Sequence, residues 1–252
     1  MKSFCIIAVL FFTCLTFITC NEYCRFACDV GSHTMCIREN EKCGPGPKCG
    51  NFYKPIEFTF ADRQYIVDLH NYLRNKVATG KEVIGSQYSA TNMKALTYNM
   101  ELEQIAKCWT NNCIYGHDSC RSTNSYDWVG QNIGITWYKG VLGNYRTVIN
   151  NTILAWYDEV TNFEANWVHN YGHYENVVAH YTQVVWADTR EIGCGMTFWV
   201  EGTFFNYFFA CNYGPGGNYL SEPVYQPGPP ASACFGLKAN QVYRGLCGPE
   251  YL

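Results

Sequence analysis

Charge is scarce in this 252-residue chain. Asp, Glu, Lys and Arg make up 15% of it, with 21 acids against 18 bases. Nucleic-acid binding draws on clustered Lys and Arg that displace counterions from phosphates. Here the bases are scattered singly, which argues against a nucleic-acid partner and against a polybasic membrane anchor. Long apolar runs are also missing, save one at the start. Behind Lys2, residues 4–18 are too short and too plainly flanked to span a bilayer, and residues 1–20 read as a signal peptide cut after Cys20. Ile18 is bulkier than the small residue usual three positions before such a cut. No Gly-x-Ser-x-Gly elbow occurs, so Ser119 and Ser122 are chance neighbours of His117 rather than nucleophiles. Internal repeats and low-complexity tracts are lacking too.

Cysteine and aromatic residues are plentiful instead. Of 15 cysteines, Cys5, Cys14 and Cys20 leave with the signal, and the remaining twelve suit six bridges formed in an oxidising compartment. Secretion follows, and a free catalytic thiol is disfavoured. An aromatic content of 17% over this length supplies one substantial core. The chain divides into a cysteine-rich segment over 21–55, a main domain over 56–220, and a Pro/Gly-rich tail over 221–252 whose two cysteines, Cys234 and Cys247, close on each other.

Helix signals open the main domain. Thr59 and Asp62 form a capping box, Ile66, Leu69, Leu73 and Val77 recur at three and four, and Gly80 ends the run. A second helix starts at Asn99 as N-cap, with Leu102, Ile105, Ala106, Trp109 and Cys113 on one face. A third covers 148–160 with Ile149, Ile153, Trp156 and Val160 on its stripe. Downstream the pattern turns to strand in TQVVW, IGCGMTFWV and FFNYFFACNY, with Glu201-Gly202 as the turn between the last two. A hairpin centred between Gly202 and Thr203 places Cys194 opposite Cys211, within bridging reach.

Two segments are diagnostic: HYTQVVWADT at 180–189 and FFACNYGPGGNY at 208–219. With HNYLR at 70–74, YGHDSC at 115–120 and WYDEV at 156–160, they make the chain resemble the CAP superfamily over about 56–220, with Ala179 where that family usually has Gly. NEYCRFAC at 21–28, CGN at 49–51 and VGQNIG at 129–134 resemble its antigen five branch, known from insect venom and saliva. The resemblance implies an α+β fold, a three-layer α-β-α sandwich with a disulfide-stapled N-terminal segment and a short C-terminal tail. It implies bridges Cys24–Cys36, Cys28–Cys120, Cys49–Cys113 and Cys194–Cys211. With Cys234 and Cys247 paired, Cys43 and Cys108 are left for each other.

The resemblance also implies a central cleft lined by His117, Glu159 and His180, with Gln131 where many members carry a second acid. Two imidazoles suit zinc, and a carboxylate beside them suits a metal-dependent hydrolase, but Gln131 cannot serve as a base. The first reading is therefore a buried polar network without catalysis or cofactor. Zinc held by His117 and His180 comes second, and hydrolysis third. Ion-channel block belongs to relatives with a longer cysteine-dense tail. His70 reads as a packing histidine, and His169 and His173 as solvated loop residues. Partners implied are a small hydrophobic ligand, held between helices near Leu69, Leu73, Ile153 and Trp156, or a host haemostatic or immune component, met by a monomer. No Arg-Gly-Asp occurs, so integrin binding through that motif is not expected. Asn150, in Asn150-Asn151-Thr152, is a glycosylation sequon.

Overall fold

The computed structural model describes residues 22–172 and 174–249, so the signal segment and His173 lie outside the described residues. The N-terminal segment contains the short helix α1 (Thr34–Ile37) and the first strand, β1 (Tyr53–Ile56). Helix α2 (Phe60–Ala78) begins at the Thr59–Asp62 capping box, with both reciprocal bonds formed, and ends at Gly80 in the left-handed region. A two-residue strand β2 (Thr97–Tyr98) leads into α3 (Met100–Thr110), where Asn99 accepts from the amides of Glu101 and Leu102. Then follow β3 (Gly130–Lys139), α4 (Tyr145–Asp158), α5 (Ala179–Val185), β4 (Glu191–Glu201) and β5 (Phe204–Gly214).

The strands form one sheet in the order β1-β4-β5-β3, antiparallel throughout, with β2 added in parallel to β4. Alternation along the strands divides the side chains between two faces. One face carries Gly193 and Gly195, and α3 presses so close that a Cβ at Gly195 would stand 2.3 Å from the Lys107 amide nitrogen. The other face carries Cys194, Met196, Phe209 and Cys211 into the main core with Ile66, Leu73, Ile153 and Trp156 from α2 and α4. Helices on both faces of a sheet give the α-β-α sandwich.

Three sequence readings need correction. TQVVW is helical, not a strand: its first four residues lie in α5 and Trp186 caps it, and such a short apolar run carries no period of its own. Tertiary partners hold this seven-residue helix at both ends. Buried Arg74 donates to the carbonyls of Val184 and Trp186 at its C-terminus, and Glu159 accepts from the amides of His180 and Tyr181 at its start. Cys113 falls past the end of α3, in the left-handed region at φ 55°. The third helix starts at Tyr145, with Asn144 as its cap, and tightens into a 3₁₀ turn from Glu159 to Asn162.

Six disulfides staple the described chain: Cys24–Cys36, Cys28–Cys120, Cys43–Cys108, Cys49–Cys113, Cys194–Cys211 and Cys234–Cys247. The tail is no detached appendage. Val224, Tyr225 and Leu246 are buried in the main core, and Cys247 exchanges backbone hydrogen bonds with Met93 and Ala95.

Candidate functional site: a cleft astride the edge strand

β3 is an edge strand, and its neighbours Gln131 and Asn132 point to opposite faces. Each holds one half of the cleft. On the α3 side, Gln131 Nε2 donates to Asp118 Oδ1 at 3.1 Å and to Asn212 Oδ1 at 3.0 Å. Both neighbours are acceptors there, so the amide is oriented, and Gln131 Oε1 must face the His117 Nδ1–H at 2.7 Å. That fixes the His117 tautomer and leaves its Nε2 lone pair bare. Asp118 is buried, ion-paired with Arg121 and accepting from the Thr34 hydroxyl, inside a loop tied down by Cys28–Cys120.

This arrangement explains the glutamine. A glutamate at 131 would set a second carboxylate against Asp118 and the Asn212 carbonyl oxygen, with no donor for either contact.

On the α5 side, His180 Nδ1 donates to Glu159 Oε1 at 2.6 Å, while Glu159 Oε2 accepts from the His180 and Tyr181 amides at 2.9 and 3.1 Å. Glu159 thus spends both oxygens on capping α5 and orienting its histidine. Trp156 stacks on the His180 ring at 6.1 Å and donates its indole N–H to the Ile133 carbonyl on the outer edge of β3. Asn132 closes the assembly, donating to the His180 carbonyl and to the Tyr213 hydroxyl.

From Tyr213 the chain of bonds runs inward to His70. Its Nδ1–H donates to the Ile66 carbonyl at 2.8 Å, and its Nε2 accepts from Tyr213 at 3.0 Å. Complete burial drives the His70 pKa down to about 4, with the Arg74 charge adding to the effect. His70 is a satisfied core histidine. The His117 pKa is also lowered: loss of hydration around the ring is the main cause, the Gln131 bond opposes it, and Arg121 and His180 reinforce it. Solvent still reaches His117, which is exposed as a residue.

His117 and His180 each engage Nδ1 and keep Nε2 free of a hydrogen-bond partner among the described residues. That is the form in which histidine ligates a metal. The donor set stops there, because no group of three or more His, Cys, Asp or Glu is placed to hold a metal among the described residues. Catalytic zinc uses three protein ligands, so this cleft does not fit a resident catalytic zinc.

The four residues expected in the cleft occupy its two halves. Sequence reasoning missed Asp118, Asn132 and Asn212, which orient them. Asp118 and Asn212 sit inside YGHDSC and FFACNYGPGGNY, and strand alternation would have found the polar Gln131–Asn132 pair had β3 been recognised. His169 is exposed at the end of a 3₁₀ turn, near the Tyr88 ring. Leu73, Ile153 and Trp156 are core residues, each 3% exposed or less, and Leu69 is half-buried against the same core.

A separate groove lies between α2 and α4. It encloses about 400 Å³ and is lined by Ala61, Asp62, Tyr65, Arg146, Thr147, Ile149 and Asn150. Arg146 pairs with Asp62 at 2.7 Å yet leaves 58% of its side chain to solvent, so a guanidinium is reachable at the groove beside the carboxylate that balances its charge.

Residues 67–213 match the CAP family of cysteine-rich secretory proteins, and the chain belongs to that family. Within it, the chain is similar to venom allergen 5.02 of Dolichovespula maculata, at 38% identity over 84% of this chain and 97% of that protein. It is also similar to venom allergen 3 of Solenopsis invicta, at 40% identity over 77% and 83%. Among solved structures, NaASP2, crystallised with Zn2+, is 25% identical with a TM-score of 0.64, over 75% of this chain and 96% of that one. BmVAL-1 has the same identity and TM-score over 81% and 99%.

Proposed function

We propose that this is a secreted, non-catalytic antigen five-type binding protein that sequesters a small hydrophobic mediator bearing an acid group. The observation that carries the reading is the groove between α2 and α4: Ile149, Ala61 and the Tyr65 ring offer apolar surface, and the Arg146 guanidinium, paired through Nε with Asp62, stays exposed among them as a donor for a carboxylate. Secretion is supported by the six disulfides and by relatives named as venom allergens. Absence of catalysis is supported by the cleft's own bonding, since Glu159 already caps α5 and Gln131 has no basic form.

The test is titration of the secreted protein with a fluorescent fatty acid, and native mass spectrometry before and after organic extraction. Saturable binding in wild type, lost in Ala61→Trp with the unfolding midpoint unchanged, is expected. Binding that survives Ala61→Trp moves the ligand out of this groove, and no binding or co-purified lipid at all removes the reading.

The bare Nε2 atoms of His117 and His180 support a second reading, weak divalent-metal binding completed by water. Heat on zinc titration that persists in the double variant His117→Ala, His180→Ala would place the metal elsewhere.

A further inference from the structure

We infer that Asn150 carries an N-linked glycan that roofs the groove between α2 and α4 and controls access to it; the access role rests on the groove reading above. Asn150 is itself a wall of that groove. Its Oδ1 accepts from the Tyr65 hydroxyl at 2.6 Å, a bond joining α4 to α2 at the groove, and both side chains are at the surface. Its Nδ2 donates to Asn151 Oδ1 at 3.0 Å. Glycosylation forms a bond from Nδ2 to the anomeric carbon of an oligosaccharide on a diphospholipid donor. The lipid diphosphate leaves, and Nδ2 releases one of its two protons. The substituted amide keeps the acceptor used by Tyr65 and one N–H for Asn151, so the modification displaces no bond of the folded protein.

Thr152, the third residue of the sequon, is 9% exposed, and its methyl group lies where a Cβ at Gly134 would be. The Thr152 side chain therefore packs against β3 once α4 lies on the sheet.

The test uses the full protein secreted from insect cells. Thr152→Val removes the hydroxyl the sequon requires, preserves the buried shape and leaves the Asn150–Tyr65 bond in place; Asn150→Gln is the second variant. Intact mass before and after peptide N-glycosidase reads occupancy. Tetranitromethane nitration of Tyr65 reads groove access, with Tyr72, exposed on the same helix outside the groove, as control. Wild type is expected to carry a glycan absent from both variants, and to nitrate Tyr65 and bind fatty acid about ten-fold less well than Thr152→Val, with Tyr72 unchanged. A secreted wild type without glycan overturns the inference, as does a glycosylated one whose Tyr65 reacts as fast as in the variants. Should the glycan shield Tyr65 while neither form binds fatty acid, the roof stands and the hydrophobic-ligand reading falls.

Discussion

At the scale of single residues, Gln131 holds the α3 half of the cleft together by being an amide. Because its Nε2 meets two acceptors and its Oε1 meets a donor, Gln131→Glu converts two attractive contacts into repulsive ones. It is expected to lower stability by about 1–3 kcal/mol. The new carboxylate favours the charged imidazole, so the His117 pKa, read from its proton shifts by NMR, should rise. A fall would mean that Gln131 does not contact His117. His70 makes a second residue-level prediction, through pH. Its folded value of about 4 lies below the ordinary 6.5, so between these limits the unfolded chain binds a proton that the folded chain refuses. Stability is therefore full above about pH 6.5 and declines as pH falls toward 4, by about 3 kcal/mol in all from this buried group. Urea midpoints across that window should slope downward in acid for wild type and more shallowly for His70→Gln; identical slopes would show His70 to be uninvolved.

At the scale of elements, legibility tracked whether an element stabilises itself. Helix α2 carries its own capping box, stripe and terminal glycine, and α3 its own cap, so both were readable. The hairpin register follows from a two-residue turn, with Gly202 in the left-handed region, and Cys194 stands opposite Cys211. Helix α5 was misread because its stability comes from Arg74 and Glu159, distant in sequence and invisible to periodicity. Strand β3 went unrecognised since its inner half is buried on both faces and only its outer half alternates, which blurs the period of two. The cleft was legible as a set of residues by resemblance, but its bonding was not, because Asp118, Asn132 and Asn212 matter only once β3 is in place. The close approach of α3 to the sheet gives an element-level prediction. Gly195→Ala sets a methyl group into the α3 backbone near Lys107, and overpacking of this kind costs about 1–3 kcal/mol. Chemical denaturation should show the loss, whereas an unchanged midpoint would mean that α3 stands farther from β4.

At the scale of the whole molecule, the tail is bound both covalently and by packing. The Cys234–Cys247 bridge closes a loop with a sequence separation of 13, for which chain entropy gives about 3 kcal/mol. Replacing both cysteines with serine should lower stability by about that amount. It should also raise hydrogen exchange at the amides of residues 95 and 247, which pair the tail with the chain ahead of α3. Exchange that stays slow at both would show that packing of Val224, Tyr225 and Leu246 alone secures the tail. The same bridges draw a map for a protease. Four of them lie wholly between Cys24 and Cys120 and overlap there, while Cys194–Cys211 and Cys234–Cys247 each close a short loop. A single cut between residues 37 and 107 leaves one covalent molecule, but a cut between 121 and 193 leaves two, held together by packing and hydrogen bonds alone. Edge strand β3 and the Glu159–His180 half of the cleft lie in that unbridged interval, so a cut between residues 121 and 179 would part the two histidines in denaturant without any disulfide being reduced.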